Sequence, residues 1–168
     1  STSDLFHKIM PQHIDQVYEL LSKTGLQRKP GNIIYSGYET LSPGDYYFLG
    51  INPGGHIDDK NPEADQILTK LLDKRDFPEE NEYFDGIWGK ERLPGVHHHQ
   101  QNIQAFFECL EIDLRKVLST NLCFQRSPGT SKYPGGKSQM EADIQKFWPI
   151  HEYMLSVVKP KVIICNGA

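Results

Sequence analysis

Apolar positions along the chain fall into two patterns. Short apolar-rich runs followed by turn residues mark 46–50, 117–124 and 162–167 as buried strands. Longer stretches repeat at helical spacing. Residues 4–24 place Leu5, Ile9, Ile14, Val17, Tyr18 and Leu21 roughly on one face, with Pro11 breaking the pattern and Gly25 as the cap. A second helix is expected from Pro62, with Ile67, Leu68, Leu71 and Leu72 inward, acids early and bases late. A third spans 100–111 through Ile103, Phe106, Phe107 and Leu110. The last covers 139–158 with Ile144, Phe147, Trp148, Met154, Leu155 and Val158 inward, where Pro149 either kinks it or starts a new helix. Residues 26–45 read as loop with a short extended piece at 32–35, and 76–97 as a long irregular excursion. Strands alternating with helices predict an α/β fold: a parallel sheet covered on both faces, with right-handed crossovers.

At 168 residues the chain is read as one domain, 1–168, large enough for a real core. No apolar run approaches the roughly 20 residues of a membrane span, so no membrane partner is expected. Cys109, Cys123 and Cys165 each sit alone in an apolar run and read as buried thiols of a reducing, intracellular compartment. No two stand at metal-ligand spacing. The run His97-His98-His99 cannot aim three adjacent rings at one ion from a regular element, so no metal site is expected. The net charge of −4 argues against a generally basic nucleic-acid binder but leaves room for a local groove.

The candidate chemistry lies at strand ends. The 46–50 run stops in Asn52-Pro53-Gly54-Gly55, and ligands of open α/β sheets bind beyond the carboxyl ends of strands. Asn52 there is either part of an ordinary turn or a polar group delivered into a cleft. Asn121 sits near the end of the second run, where a buried amide either bonds a neighbouring loop or faces a ligand. The loop 125–138 carries Arg126, Lys132 and Lys137, hydroxyls, glycines and no acid, a set that either holds phosphates or is solvated surface. Phe77, Tyr83, Phe84 and Trp88 crowd the 76–97 loop as a satellite of the core or as a stacking surface.

Three segments together resemble the uracil-DNA glycosylase superfamily. Gly50-Ile51-Asn52-Pro53-Gly54 is similar to its first active-site motif, nearest to the mismatch-specific thymine/uracil and single-strand-selective monofunctional types. Thr120-Asn121-Leu122-Cys123-Phe124 resembles its second core strand, which ends in a base-reading Asn, and 159–167 resembles the third. The resemblance implies a three-layer α/β/α sandwich around a four-stranded, mostly parallel sheet. It implies a DNA repair glycosylase that hydrolyses the N-glycosidic bond of uracil, or of a related damaged or mismatched pyrimidine, flipped out of DNA. Asn52 would orient the attacking water and Asn121 would read the base. Gly50, Ile51, Pro53 and Gly54 would line the pocket. The stacking aromatic expected about a dozen residues after the first motif is missing, which leaves Phe77, Phe84 or Trp88 as substitutes. Arg126, Ser127 and Lys132 would grip phosphates. The implied partner is DNA, no cofactor is required, and a monomer is expected, cytoplasmic in a bacterium and nuclear in a eukaryote. The family's last motif, a His near Ser-Pro, and its fourth strand follow the third strand; neither precedes Ala168, so a longer natural chain is expected. A non-catalytic nucleic-acid or nucleobase binder of the same fold is the alternative.

Overall fold

A computed structural model describes residues 2–56 and 59–167, with side chains from residue 12 onward. The inward positions expected for Leu5 and Ile9 therefore lie outside the described side chains. Three strands form one parallel sheet: β1 (Tyr46–Gly50), β2 (Leu118–Asn121) and β3 (Val162–Cys165), in the order β2-β1-β3. The register pairs Gly50 with Asn121 on one side of β1 and Leu49 with Cys165 on the other. Five helices surround it: α1 (Thr2–Ser22), α2 (Ile67–Asp76), α3 (Glu82–Asp85), α4 (His98–Cys109) and α5 (Gly136–Val158).

Alternation along β1 divides the core in two. Tyr47 points to a cluster built on Val17 and Leu21 of α1, Leu71 of α2, and Phe147 and Met154 of α5. Phe48 points the other way, to Tyr83 of α3, Phe107 of α4 and Val117. Helices on both faces of a parallel sheet make the α/β/α sandwich that the strand–helix order predicts. Among the described residues the sheet has three strands, not four.

Several local expectations need correction. α1 runs through Pro11 without a break. α2 starts at Ile67, because 61–66 fold into turns (Ala64 N–H to Asn61 O, 3.2 Å; Gln66 N–H to Glu63 O, 3.3 Å). Its supposed early acids, Glu63 and Asp65, thus precede the helix. α4 starts two residues before the predicted 100, where His97 caps it: Nδ1 accepts from His99 N–H and the Gln100 side chain returns to the His97 N–H. α5 continues through Pro149. Phe106, Leu110 and Trp148 are exposed where inward positions were expected. Only Cys123 is a buried thiol; Cys109 and Cys165 are exposed.

The two flanks of the sheet differ. Beside β2 runs the segment 30–36, which forms no strand beyond isolated bridges at Pro30 and Gly31. It nevertheless satisfies the edge: Tyr35 N–H donates to Ser119 O (2.8 Å), Asn32 N–H to Phe124 O (3.0 Å), and the Thr120 hydroxyl to Ile33 O (2.6 Å). β3 is the other flank. It is not the buried strand expected, since Val162 and Ile163 are each 47% exposed. No helix among the described residues is long and apolar enough to cross a membrane.

A buried imidazole ties α5 to the sheet. His151 is 1% exposed. Its Nε2 lies 3.2 Å from Leu122 O, which can only accept, so the proton is on Nε2 and Nδ1 accepts from the Tyr47 hydroxyl at 2.9 Å. Burial lowers its pKa to about 4. The neutral form is the one the fold holds, so this contribution to stability is complete above the ordinary histidine value near 6.5. It is lost as pH falls from there toward about 4. The loss should reach about 3 kcal/mol. Urea midpoints at pH 7.5 and 4.5 measure it, and His151→Gln should flatten that part of the slope while lowering stability throughout. An equally steep slope in His151→Gln would assign the pH dependence elsewhere.

Candidate functional site

β1 and β2 are parallel and end side by side, and their pairing does not stop at the last strand residue. Leu122 N–H donates to Gly50 O and Cys123 N–H to Ile51 O, both at 2.8 Å, and Ser127 N–H donates to Pro53 O at 3.0 Å. Two loops are thereby zipped together at the carboxyl end of the sheet, the end where open α/β sheets bind ligands.

Asn52 leaves the first loop half-buried. Its amide nitrogen donates to the Ser127 hydroxyl (2.9 Å), Pro53 O (3.1 Å) and Gln125 O (3.4 Å). Facing carbonyls fix which end of the amide is nitrogen. The amide oxygen takes no hydrogen bond from the described residues, so it is the acceptor this side chain offers outward. Ser127 is 2% exposed, and its hydroxyl passes its own proton to Gly129 O at 2.9 Å. That hydroxyl holds Asn52, and phosphate gripping in this loop falls to other groups.

Asn121 is 6% exposed. Its neighbours Ser119 and Thr120 spend their hydroxyls on Val117 O and Ile33 O. The Tyr35 hydroxyl lies near the Asn121 amide, which is among the smaller influences on the Tyr35 pKa. That smaller influence favours the phenolate. Burial, the larger effect, still keeps the phenol protonated by raising its pKa above the ordinary range. The Asn121 amide lies across the paired Gly50, whose missing side chain makes the space: a Cβ there would stand 2.3 Å from the Asn121 oxygen.

Around the two amides, Arg126 forms a buried pair with Asp65 (Nε–Oδ2 and Nη2–Oδ1, both 3.0 Å) and donates to Gly54 O at 2.6 Å. Its guanidinium therefore clamps the first loop to the 61–66 turn. Lys132 is exposed on a 3-10 turn at Thr130–Lys132. The three candidate aromatics separate. Phe84 is half-buried under the Arg115 guanidinium, 4.4 Å from its ring centre. Phe77 is 61% exposed and lines a cleft of about 800 Å³ beside α2 and α3 with Lys74, Glu79 and Arg115, a cleft that neither Asn52 nor Asn121 lines. Trp88 packs edge-on to Tyr35 at 6.1 Å and donates to Glu82 at 3.1 Å. Tyr35 is the aromatic whose hydroxyl the Asn121 amide influences. Tyr35 and Asp65 were missed from the sequence because both sit in stretches without periodicity; the only signal was a tyrosine ending the apolar run 33–35.

Among the described residues no group of three or more His, Cys, Asp or Glu is placed to hold a metal ion. No protein-family model, curated protein or solved structure matches this chain. Fold and site together define an α/β sandwich carrying two amides, one on each of two neighbouring strand ends.

Asp65→Ala should leave Arg126 buried without its carboxylate and cost about 3 kcal/mol. Hydrogen exchange should also speed up at Gly31, whose N–H donates to the backbone carbonyl of residue 65 at 2.8 Å, a carbonyl the substitution keeps but no longer anchors through Arg126. A change within about 0.5 kcal/mol would mean that the pair is no more than a surface contact.

Proposed function

We propose that this chain binds a pyrimidine flipped out of DNA and hydrolyses the N-glycosidic bond of uracil or a related damaged or mismatched pyrimidine. One observation carries the reading. Asn52 has its nitrogen committed and its oxygen open, and Asn121 ends the neighbouring strand, paired with Gly50. The bases of a duplex are inaccessible until unstacked, so this reading requires an extruded base to reach the strand ends. Asn121 offers one donor and one acceptor to its Watson–Crick edge. The Asn52 oxygen accepts a hydrogen bond from water and turns the water's lone pair toward the sugar C1′. As the C1′–N1 bond breaks, its electron pair leaves with the base and the water oxygen bonds C1′. The displaced proton passes to solvent. An amide oxygen is a weak base, which suits a sugar already close to an oxocarbenium ion and in need of orientation more than activation of its nucleophile.

A second reading is binding of nucleic acid or a nucleobase without hydrolysis, and the commitments of Arg126 to Asp65 and of Ser127 to Asn52 favour its nucleobase form. Both reduce the grip on a DNA backbone that the first reading needs.

Single-turnover base release from oligonucleotides with uracil opposite G, opposite A and unpaired separates the two. Asn52→Ala should slow release at least about tenfold. Undiminished release by that variant would remove Asn52 from the chemistry. Binding of the uracil oligonucleotide with no release would establish the second reading.

A further inference from the structure

The cleft beside α2 and α3 is separate from the strand ends. Its volume of about 800 Å³ suits a small organic ligand. Six carboxylates line it, those of Asp73, Asp76, Glu79, Glu80, Glu82 and Asp85. Three cations line it as well, and two are spent within the fold. Lys74 is 7% exposed and its Nζ donates to Ser36 O and Glu80 O, both at 2.8 Å. Arg115 pairs with Asp85 at 3.2 Å and lies over the Phe84 ring. Lys70 is the third. Among the described residues the side chains of Asp73, Asp76, Glu79 and Glu80 make no ion pair or hydrogen bond. The cleft therefore keeps an excess of negative charge, which attracts a cation from solution.

A neutral group points to a ligand independently of those acids. Asn32 is 4% exposed and lines the cleft, and its side-chain amide has no hydrogen bond among the described residues. Nor is that amide sealed in: the enclosed polar atoms without a partner belong to Gln27, Tyr38 and Asn81. It is held in place by its backbone, whose N–H donates to Phe124 O at 3.0 Å.

We infer that this cleft binds a diffusible polyamine, a ligand with several ammonium groups spaced along an alkyl chain. The acids are spread around the cleft rather than gathered on one point, and among the described residues no three are placed to hold a metal ion. Spread charge fits a spread cation better than a point cation. Phe77, 61% exposed at the end of α2, offers a ring face to an ammonium. With Pro78 it also supplies apolar surface for the methylenes between charges. The Asn32 amide oxygen is an acceptor for an ammonium N–H. The volume takes a whole small ligand, whereas one lysine side chain of a protein partner would leave most of it empty. This site stands whether or not the strand ends act on a base.

The test is calorimetric titration of the full chain with spermidine at low and high salt, with Mg²⁺ and tri-lysine in parallel and thermal unfolding as the control for folding. Wild type should bind spermidine saturably, more tightly than either comparison ligand and more weakly as salt rises. Asp76→Asn with Glu79→Gln should weaken spermidine about tenfold, the scale of two partly screened charge pairs. Both positions are exposed, so this variant should fold. Glu141→Gln with Glu152→Gln removes the same charge from the exposed side of α5 and should bind as wild type does. Asn32→Ala should cost about fivefold, a loss that general charge attraction does not explain. No saturable spermidine binding, or equal weakening by the two double variants, overturns the site. Tighter binding of Mg²⁺ or of tri-lysine overturns the polyamine in favour of a metal ion or a basic peptide.

Discussion

The candidate site depends on a backbone ladder that outlasts the strands forming it. β1 and β2 end at Gly50 and Asn121, yet Leu122, Cys123 and Ser127 go on donating to Gly50, Ile51 and Pro53. Each of these bonds satisfies polar groups that burial would otherwise leave unpaired. Together they fix the distance between two loops that have no regular structure of their own. Asn52 and Asn121 are neighbours because of that ladder, and side-chain chemistry is added to a frame already set.

The side chains at the strand ends divide into those that hold and those that remain open. Ser127 and Arg126 hold. One orients the Asn52 amide, and the other ties Gly54 O to Asp65. A buried guanidinium without a partner is costly, so the Asp65 carboxylate is what makes Arg126 tolerable at this depth. The Asn52 oxygen and the Asn121 amide remain open. Gln27, Tyr38 and Asn81 also bury a side-chain atom without a partner, so an open group points to a ligand only together with its place at the strand ends.

The architecture was largely legible in the sequence. The three apolar runs became the three strands, and the alternation of Tyr47 and Phe48 between two cores follows from the period of a strand. Boundaries were less legible. Nothing local distinguishes the turns at 61–66 from a first helical turn after Pro62, and the capping by His97 uses a residue type that few rules assign to caps. The inward positions of α4 and α5 were partly wrong for a different reason. Periodicity gives the face of a helix, but the width of the buried stripe is set by the neighbours, which leave Phe106 and Trp148 exposed.

By itself the sequence determined an α/β chain with two amides at strand ends, because strand runs and turn residues are local signals. Only the tertiary structure decided how those amides are used. Which end of Asn52 is free depends on Ser127 and Gln125, more than seventy residues away. Tyr35 reaches the end of β2 from a segment with no pattern of its own that lies along the β2 edge. Arg126, a phosphate ligand by composition, became an internal clamp because folding placed Asp65 against it. Hydrogen bonds and ion pairs are short-ranged in space and indifferent to distance along the chain, so composition could propose these groups while only the fold could pair them.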